Sequence, residues 1–202
     1  MKKITIIILL LLAFNSWSQN DKIGLQKNKY NLALSYLQKK QFAKAIDPLL
    51  FAYKINPESE IGKISKSKID SLKPVIRKNL VDKLTGTWNL IGNHPMWIEK
   101  QPKKEKSTDT LMVITNEQIS YYVKNIKTKD VRLIKTEKIE FYDGFANNNS
   151  VTEMVNSDKE LWTFIVGESL KSLRLIHTGN ETTLGRNTID LDNKELYYTK
   201  IK

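Results

Sequence analysis

Apolar residues recur at helical spacing in the first part of the chain. They repeat every three or four positions over residues 26–59, where "KKQF" provides a short polar turn between two segments. The second segment stops at Pro57, which cannot continue a helix. The same spacing continues over residues 61–84 and predicts a third helix that Pro74 kinks or divides. The pattern therefore predicts an N-terminal helical hairpin that is extended into a short helical module.

Beyond residue 85 the pattern changes to the alternation of apolar and polar residues that is typical of β-strands. Polar turns such as "TNEQ" and "HTGNETT" separate the short runs. The predicted strands are residues 85–92, 109–115, 118–124, 131–142, 151–156, 160–166, 170–178, 184–191 and 194–201. Consecutive antiparallel strands close into an up-and-down barrel, which has no unpaired edge, or form a sandwich of two sheets. We favour the barrel, so the predicted fold class is α+β, a helical module followed by an antiparallel up-and-down β-barrel.

Residues 1–18 have the form of a secretory signal peptide. Two lysines precede an apolar run over residues 4–14, and the small residues Ser16 and Ser18 follow. The run has about 11 residues and is shorter than the roughly 20 that a membrane-spanning helix needs. We therefore expect an exported protein, periplasmic or extracellular, that is cleaved before Gln19 and is not anchored.

Composition limits the class of partner. The chain has no cysteine, so burial and hydrogen bonds must stabilise it without disulfides. Its net charge is +11, and loss of the two lysines of the signal peptide leaves 11 − 2 = +9. Such an excess can neutralise phosphates, but export argues against a nucleic-acid partner. Solubility and weak attraction to anionic surfaces explain the lysine excess better.

Several residues of the helical part resemble a tetratricopeptide repeat. The residues that match the family spacing are Leu32, Ala33, Tyr36, Ala45, Leu49, Ala52 and Pro57. The resemblance covers one repeat, about residues 26–59, and it implies two close helices with Tyr36 between them. Because one repeat cannot bury its own apolar face, the module either packs as a compact cap or keeps a groove open for a protein partner. The candidate partner-binding residues are Tyr36, Phe42 and Tyr53.

The tripeptide "GTW" at residues 86–88 starts the first predicted strand. It resembles the Gly-x-Trp of lipocalins and of bacterial lipocalin-like domains, and the resemblance covers about residues 84–202, after the helical module at 19–83. In that family the tryptophan closes one end of the barrel, and the glycine lets another segment pass close by. An arginine near the end of the barrel also stacks on the tryptophan there, and the candidates on late segments are Arg174 and Arg186.

Alternation along the predicted strands places one set of side chains inside the barrel. The candidate ligand-binding residues of that set are Trp88, Leu90, Tyr121, Trp162, Phe164 and Leu175. An eight-stranded barrel is wide enough either to be filled by its own side chains or to hold one small ligand. Both interpretations remain open, because large aromatic residues favour filling whereas smaller neighbours such as Thr163 and Ser172 favour a modest pocket.

Few residues of the chain are suited to catalysis or to metal binding. It has two histidines and no cysteine. Neither His94, which precedes a proline, nor His177, at a turn, lies in a recognisable catalytic setting. Asp190 and Asp192 lie in a segment without the glycine of a calcium-binding loop. We therefore expect no catalytic residue, no metal and no cofactor, and we do not predict an enzyme.

The sequence supports two hypotheses of function. In the first, the protein is a secreted or periplasmic binding protein whose barrel holds a small apolar or amphiphilic ligand. In the second, it is a non-enzymatic scaffold of the cell envelope, in which the barrel core is solid and the helical module binds another protein.

Overall fold

A computed structural model describes residues 21–93, 107–144, 151–189 and 193–201. The predictions that lie outside these residues concern the signal peptide, His94, Asp190 and Asp192. The chain forms two compact units, one that ends at Ile76 and one that begins at Arg77. Among the described residues, no helix combines the length and the apolar character that crossing a membrane requires.

The first unit is built from helices, as the spacing of apolar residues predicts. The helices are α1 (21–38), α2 (Phe42–Ile55) and α3 (Glu60–Leu84). The turn between α1 and α2 contains Lys40, whose φ of 56° lies in the left-handed region. α2 ends where Asn56 adopts an extended conformation before Pro57. Pro74 lies inside α3 and does not divide it, so the third helix is continuous and its last turns belong to the second unit.

Small residues let α1 and α2 pack closely. Ala33 of α1 and both Ala45 and Ala52 of α2 have no exposed surface. The side chain of Gln26 is also buried, and its amide nitrogen donates to the Ala52 carbonyl at 2.8 Å and to the Asn56 carbonyl at 3.0 Å. A helix leaves the carbonyls of its last turn without partners of its own. Gln26 of α1 therefore provides a hydrogen-bond donor for carbonyls at the end of α2.

The second unit contains a nine-stranded antiparallel sheet, which confirms the predicted α+β class. Its strands are β1 (Gly86–Gly92), β2 (Thr108–Ile114), β3 (Gln118–Asn125), β4 (Val131–Lys138), β5 (Met154–Val155), β6 (Glu160–Val166), β7 (Ser172–Thr182), β8 (Gly185–Thr188) and β9 (Glu195–Lys200). They lie in the order β4-β3-β2-β1-β9-β7-β6-β5, and β8 pairs with β7. Strands that are adjacent in the chain are thus mostly adjacent in the sheet, and the last strand returns to pair with the first.

β4 and β5 lie at the two ends of this order, and no continuous ladder joins them within the described ranges. The chain just after β4 nevertheless reaches β5. Phe141 forms a bridge with Met154, and the Tyr142 amide donates to the Glu153 carbonyl at 2.9 Å. The strand predicted at 131–142 is therefore divided, because its first part pairs with β3 and its end with β5. Closure into a complete barrel stays a prediction.

Arg77, in the last turns of α3, holds the segment that follows β4. Its guanidinium lies 4.8 Å from the centroid of the Phe141 ring. It donates to the Val151 carbonyl at 2.8 Å and pairs with the Asp143 carboxylate at 2.7 Å. These contacts link the end of the helix to both sides of the 145–150 segment, which is outside the described residues.

The second unit has an apolar core between the end of α3 and the inner face of the sheet. Val81 and Leu84 contribute to it from the helix. Its most completely buried strand residues include Trp88, Met112, Ile114, Leu173 and Tyr198. Trp88, which the alternation predicts on the inner face, is thus buried in this core.

Gly62 offers a test of the packing in the first unit. A Cβ at this position would lie 2.2 Å from the backbone oxygen of Asn56 and 2.8 Å from that of Pro57. We expect Gly62→Ala to lower the free energy of unfolding by about 1–3 kcal/mol, because the backbone must move to admit the methyl group. Urea unfolding followed by helical circular dichroism measures the loss.

Gly24→Ala in α1 is the matched control, since a Cβ there has no neighbour within 4 Å. Alanine is the better helix former, so this change should leave the unit unchanged or stabilise it by up to about 1 kcal/mol. Equal effects of the two substitutions would contradict the close packing described at Gly62.

Candidate functional site

Trp88 joins the end of α3 to the first strand. Its side chain has 0 % exposure, and its indole nitrogen donates to the Leu84 carbonyl at 2.7 Å. A buried indole N–H needs such a partner, and the last carbonyls of a helix are free to provide it. Trp88 therefore lies in the core, and it is not part of the wall of the cavity described below.

A lysine, not an arginine, covers this tryptophan. Lys200 of β9 is paired directly with Trp88 of β1, and its Nζ lies 5.0 Å from the centroid of the indole ring. Gly86 makes room for it: a Cβ there would lie 2.7 Å from the Lys200 Cε, and the φ of 135° also disfavours other residues. Arg174 and Arg186, the candidates from the sequence, lie elsewhere.

Both arginines have carboxylate partners instead. The Arg174 Nε donates to Glu195 at 2.9 Å. Arg186 forms a buried ion pair with Glu153 and donates to the Thr178 carbonyl at 3.0 Å. Neither candidate arginine therefore stacks on Trp88, and the cation–π contact comes from Lys200 of the closing strand.

A cavity of about 280 Å³ opens in the sheet of the second unit. Its wall includes five of the six predicted ligand-binding residues, namely Leu90, Tyr121, Trp162, Phe164 and Leu175. Further apolar side chains of the wall come from Ile119, Met154 and Leu196. The core is thus packed around Trp88, but the same inner face leaves room for a small molecule.

Paired charges lie along one part of the cavity wall. The Lys135 Nζ is 2.9 Å from a Glu137 carboxylate oxygen and 3.7 Å from Asp158. The Ser157 hydroxyl donates to the same Glu137 oxygen at 2.8 Å. Burial would lower the pKa of Lys135, but its hydrogen bond and ion pair with Glu137 raise it, so the lysine stays charged. Because Ser157 and Asp158 precede β6, these contacts bring the edge strand β4 against the turn between β5 and β6.

A second polar group surrounds Trp162. The Glu160 carboxylate accepts hydrogen bonds from the Asn156 amide at 2.8 Å and from the Trp162 indole nitrogen at 3.1 Å. Burial is the largest single influence and would raise the pKa of Glu160. The two hydrogen bonds, aided by the electrostatic influence of His177 and Lys194, outweigh it and lower the pKa. Glu160 is therefore an ionised wall residue at neutral pH.

Two polar side chains contact the indole of Trp162. The His177 ring stacks on it with centroids 5.0 Å apart, and the Lys194 Nζ lies 5.5 Å from its centroid. This predicted ligand-binding residue is thus fixed in place by polar neighbours that are distant in sequence. His177 has a structural contact, and the parts of the chain that the structure describes contain no group of three or more metal-ligating side chains.

Tyr198 is a wall residue that the sequence analysis missed. It pairs directly with Leu90, a predicted inner residue, so the two side chains lie on the same face. Burial raises the pKa of Tyr198 to about 12. Alternation predicts that one of the adjacent residues Tyr197 and Tyr198 faces inwards. The pairing with β1 determines that the inward residue is Tyr198.

The three predicted partner-binding residues of the helical unit do not form one cluster. Tyr36, Phe42 and Tyr53 are each partly buried. Phe42 begins α2 and Tyr53 lies near its end, so their backbones are about 16 Å apart along the helix axis. A single small patch cannot contain both residues.

No family model matches the chain, and a search of the curated proteins returned no significant match.

Trp88→Ala tests the packed end of the sheet. The change removes a fully buried side chain and its hydrogen bond to Leu84, so we expect the free energy of unfolding to fall by about 3–5 kcal/mol. Ile165→Ala, on the exposed side of β6, should change it by less than about 1 kcal/mol. Chemical unfolding of both variants measures the difference, and a small effect at Trp88 would place its ring outside the core.

Glu160 makes stability depend on pH. Because folding lowers its pKa from the ordinary 4.5, the unfolded state binds more protons in that range, and the stabilisation is lost as the pH falls through the folded pKa. We expect Glu160→Gln to lose stability less steeply on acidification than the wild type. The exposed Glu117→Gln is the control and should keep the wild-type slope. Urea midpoints from neutral to acidic pH measure the slopes, and identical slopes for all three proteins would refute this role.

Proposed function

We propose that the protein is a non-enzymatic binding protein that holds a small apolar or amphiphilic molecule in the cavity of its sheet. The observation that carries the proposal is a cavity of about 280 Å³ with apolar side chains over most of its wall and charged groups along one part. Binding sites for small molecules commonly combine such a wall with a few polar groups that fix orientation.

Burial of the ligand would provide most of the affinity. Leu90, Phe164 and Leu175 present apolar surface to the cavity. Removing apolar surface from water is worth about 25 cal/mol for each Å². The volume is slightly below the roughly 300–1,000 Å³ of sites for drug-sized ligands, so we expect a small ligand.

The polar wall is suited to orientation more than to chemistry. Lys135 is paired with Glu137, and Glu160 accepts two hydrogen bonds from its neighbours. Groups that are already paired contribute charge and shape without needing to rearrange when a ligand enters. The proposal therefore contains no catalytic step and no cofactor.

We also propose that this unit is lipocalin-like. The support is the meander order of the strands and the Gly86, Trp88 and Lys200 group, in which a cation covers the tryptophan and a glycine makes room for it. In this proposal the sheet curls into a barrel that is packed at the Trp88 end. The signal-like segment at residues 1–18 supports export, so the proposed place of binding is the periplasm or the outside of the cell.

A second candidate function is binding of another protein by the helical unit, which would then serve as a tetratricopeptide-like module of an envelope scaffold. Its support is the exposure of large apolar side chains on that unit. Phe51 of α2 is 46 % exposed, and Leu32 and Val75 are exposed to a similar degree. Exposed apolar groups of this kind are typical of interaction surfaces when they are contiguous.

Filling the cavity tests the first proposal. Leu196→Trp enlarges a partly buried wall residue, whereas Ile165→Trp adds the same side chain on the exposed side of β6. With the neutral apolar dye N-phenylnaphthylamine, we expect saturable fluorescence enhancement for the wild type and for Ile165→Trp. Leu196→Trp should bind at least about tenfold more weakly, because its indole occupies the space of the ligand.

Equal dye affinities in the three proteins would overturn the cavity as the binding site. No saturable binding by the wild type, together with protein partners recovered by cross-linking through the helical unit, would favour the second candidate.

A further inference from the structure

Two tyrosine side chains contribute to the wall of the cavity. Tyr198 projects from β9 and is 2 % exposed, and Tyr121 projects from β3 and is partly buried. Both rings therefore present a phenol to a space that is otherwise lined mostly by apolar groups.

Neither hydroxyl forms a hydrogen bond with any residue that the structure describes. The adjacent Tyr197 is a useful contrast, because its hydroxyl donates to the Glu195 carboxylate. Tyr197 and Tyr198 are consecutive in β9, so they lie on opposite faces of the sheet. Neither the Tyr198 nor the Tyr121 hydroxyl is among the fully buried polar atoms without a partner, so both remain accessible. Tyr198 thus brings an accessible hydroxyl to the cavity wall, where a ligand acceptor can meet it.

Both phenols act as neutral donors. Burial raises the pKa of Tyr198 to about 12. Burial also raises the pKa of Tyr121, and the nearby Glu137 carboxylate raises it further. A neutral phenol donates one hydrogen bond, so the group that it meets best is an acceptor oxygen.

The charges of the wall favour a neutral ligand. Lys135 is engaged by Glu137 and Asp158, so it is not free to neutralise an incoming carboxylate. The carboxylates of Glu137 and Glu160 line the same cavity and would repel such a group. Lys138 and Lys194 line it as well, so charges of both signs are present. An ionic group of either sign therefore meets like charge in the cavity, whereas a neutral group does not.

We infer that Tyr198 and Tyr121 select a neutral amphiphile that carries an acceptor oxygen, such as the carbonyl of a ketone, ester or amide, on the part that enters the cavity. This inference rests on the binding function proposed above and adds to it the chemical class of the ligand. Tyr198 is the main determinant, because its side chain is the more deeply buried of the two.

The test uses three probes that share an aliphatic chain of similar length, namely hexyl methyl ketone, octanoate and octylamine. Isothermal titration of the full chain measures their affinities. We expect the ketone to bind at least about tenfold more tightly than either charged probe. Tyr198→Phe should weaken binding of the ketone about tenfold, which is the usual effect of losing one hydrogen bond.

Tyr197→Phe is the matched control. It removes a hydroxyl from the next residue of the same strand, on the face away from the cavity, and should leave the ketone affinity unchanged. Tyr121→Phe provides a second variant and should weaken binding less than Tyr198→Phe does. Unfolding curves establish that each variant is folded.

Unchanged ketone affinity in both Tyr198→Phe and Tyr121→Phe would overturn the inference while leaving the binding function intact. Tighter binding of octanoate or of octylamine would overturn it as well. If the wild type binds none of the three probes and also fails to bind N-phenylnaphthylamine, the proposed function itself is refuted.

Discussion

The hydrogen bond from the Trp88 indole to the Leu84 carbonyl fixes the point where helix becomes sheet. It uses a carbonyl that the end of α3 cannot satisfy internally and a donor that cannot be buried alone. Lys200 then covers the ring from the last strand, and Gly86 leaves space for the lysine stem. Three separate parts of the chain, α3, β1 and β9, are therefore held together around one side chain.

This arrangement explains why packing and cavity coexist on the same face of the sheet. Around Trp88, the helix residues Val81 and Leu84 fill the space between α3 and the strands. Further along β1, Leu90 lines the cavity instead. There, polar contacts between neighbours on the same strand hold part of the wall, such as the Lys135–Glu137 pair and the hydrogen bond from Trp162 to Glu160.

Local patterns in the sequence were enough to predict the elements, but not their partners. Helical spacing and Pro57 predict α1 and α2 because they act within a few residues. Alternation predicts which residues share a face of a strand, which is why Leu90 and Phe164 lie together on the cavity wall. The register between β1 and β9 determines that Tyr198, and not Tyr197, faces inwards, and that Lys200 covers Trp88. These two strands are distant in sequence, so local patterns do not determine their register. The division of the predicted strand at 131–142 has the same origin, since its end pairs with β5 instead of β3.

In the proposed complex, a small neutral molecule occupies the space between Leu90, Phe164 and Leu175. Intermolecular nuclear Overhauser effects between hexyl methyl ketone and the isotope-labelled protein test it most directly, because they report which side chains lie within a few ångströms of the ligand. We expect contacts from the aliphatic chain to these three residues and from the carbonyl end to the ring of Tyr198. Contacts confined to exposed residues of the helical unit, such as Phe51, would contradict it.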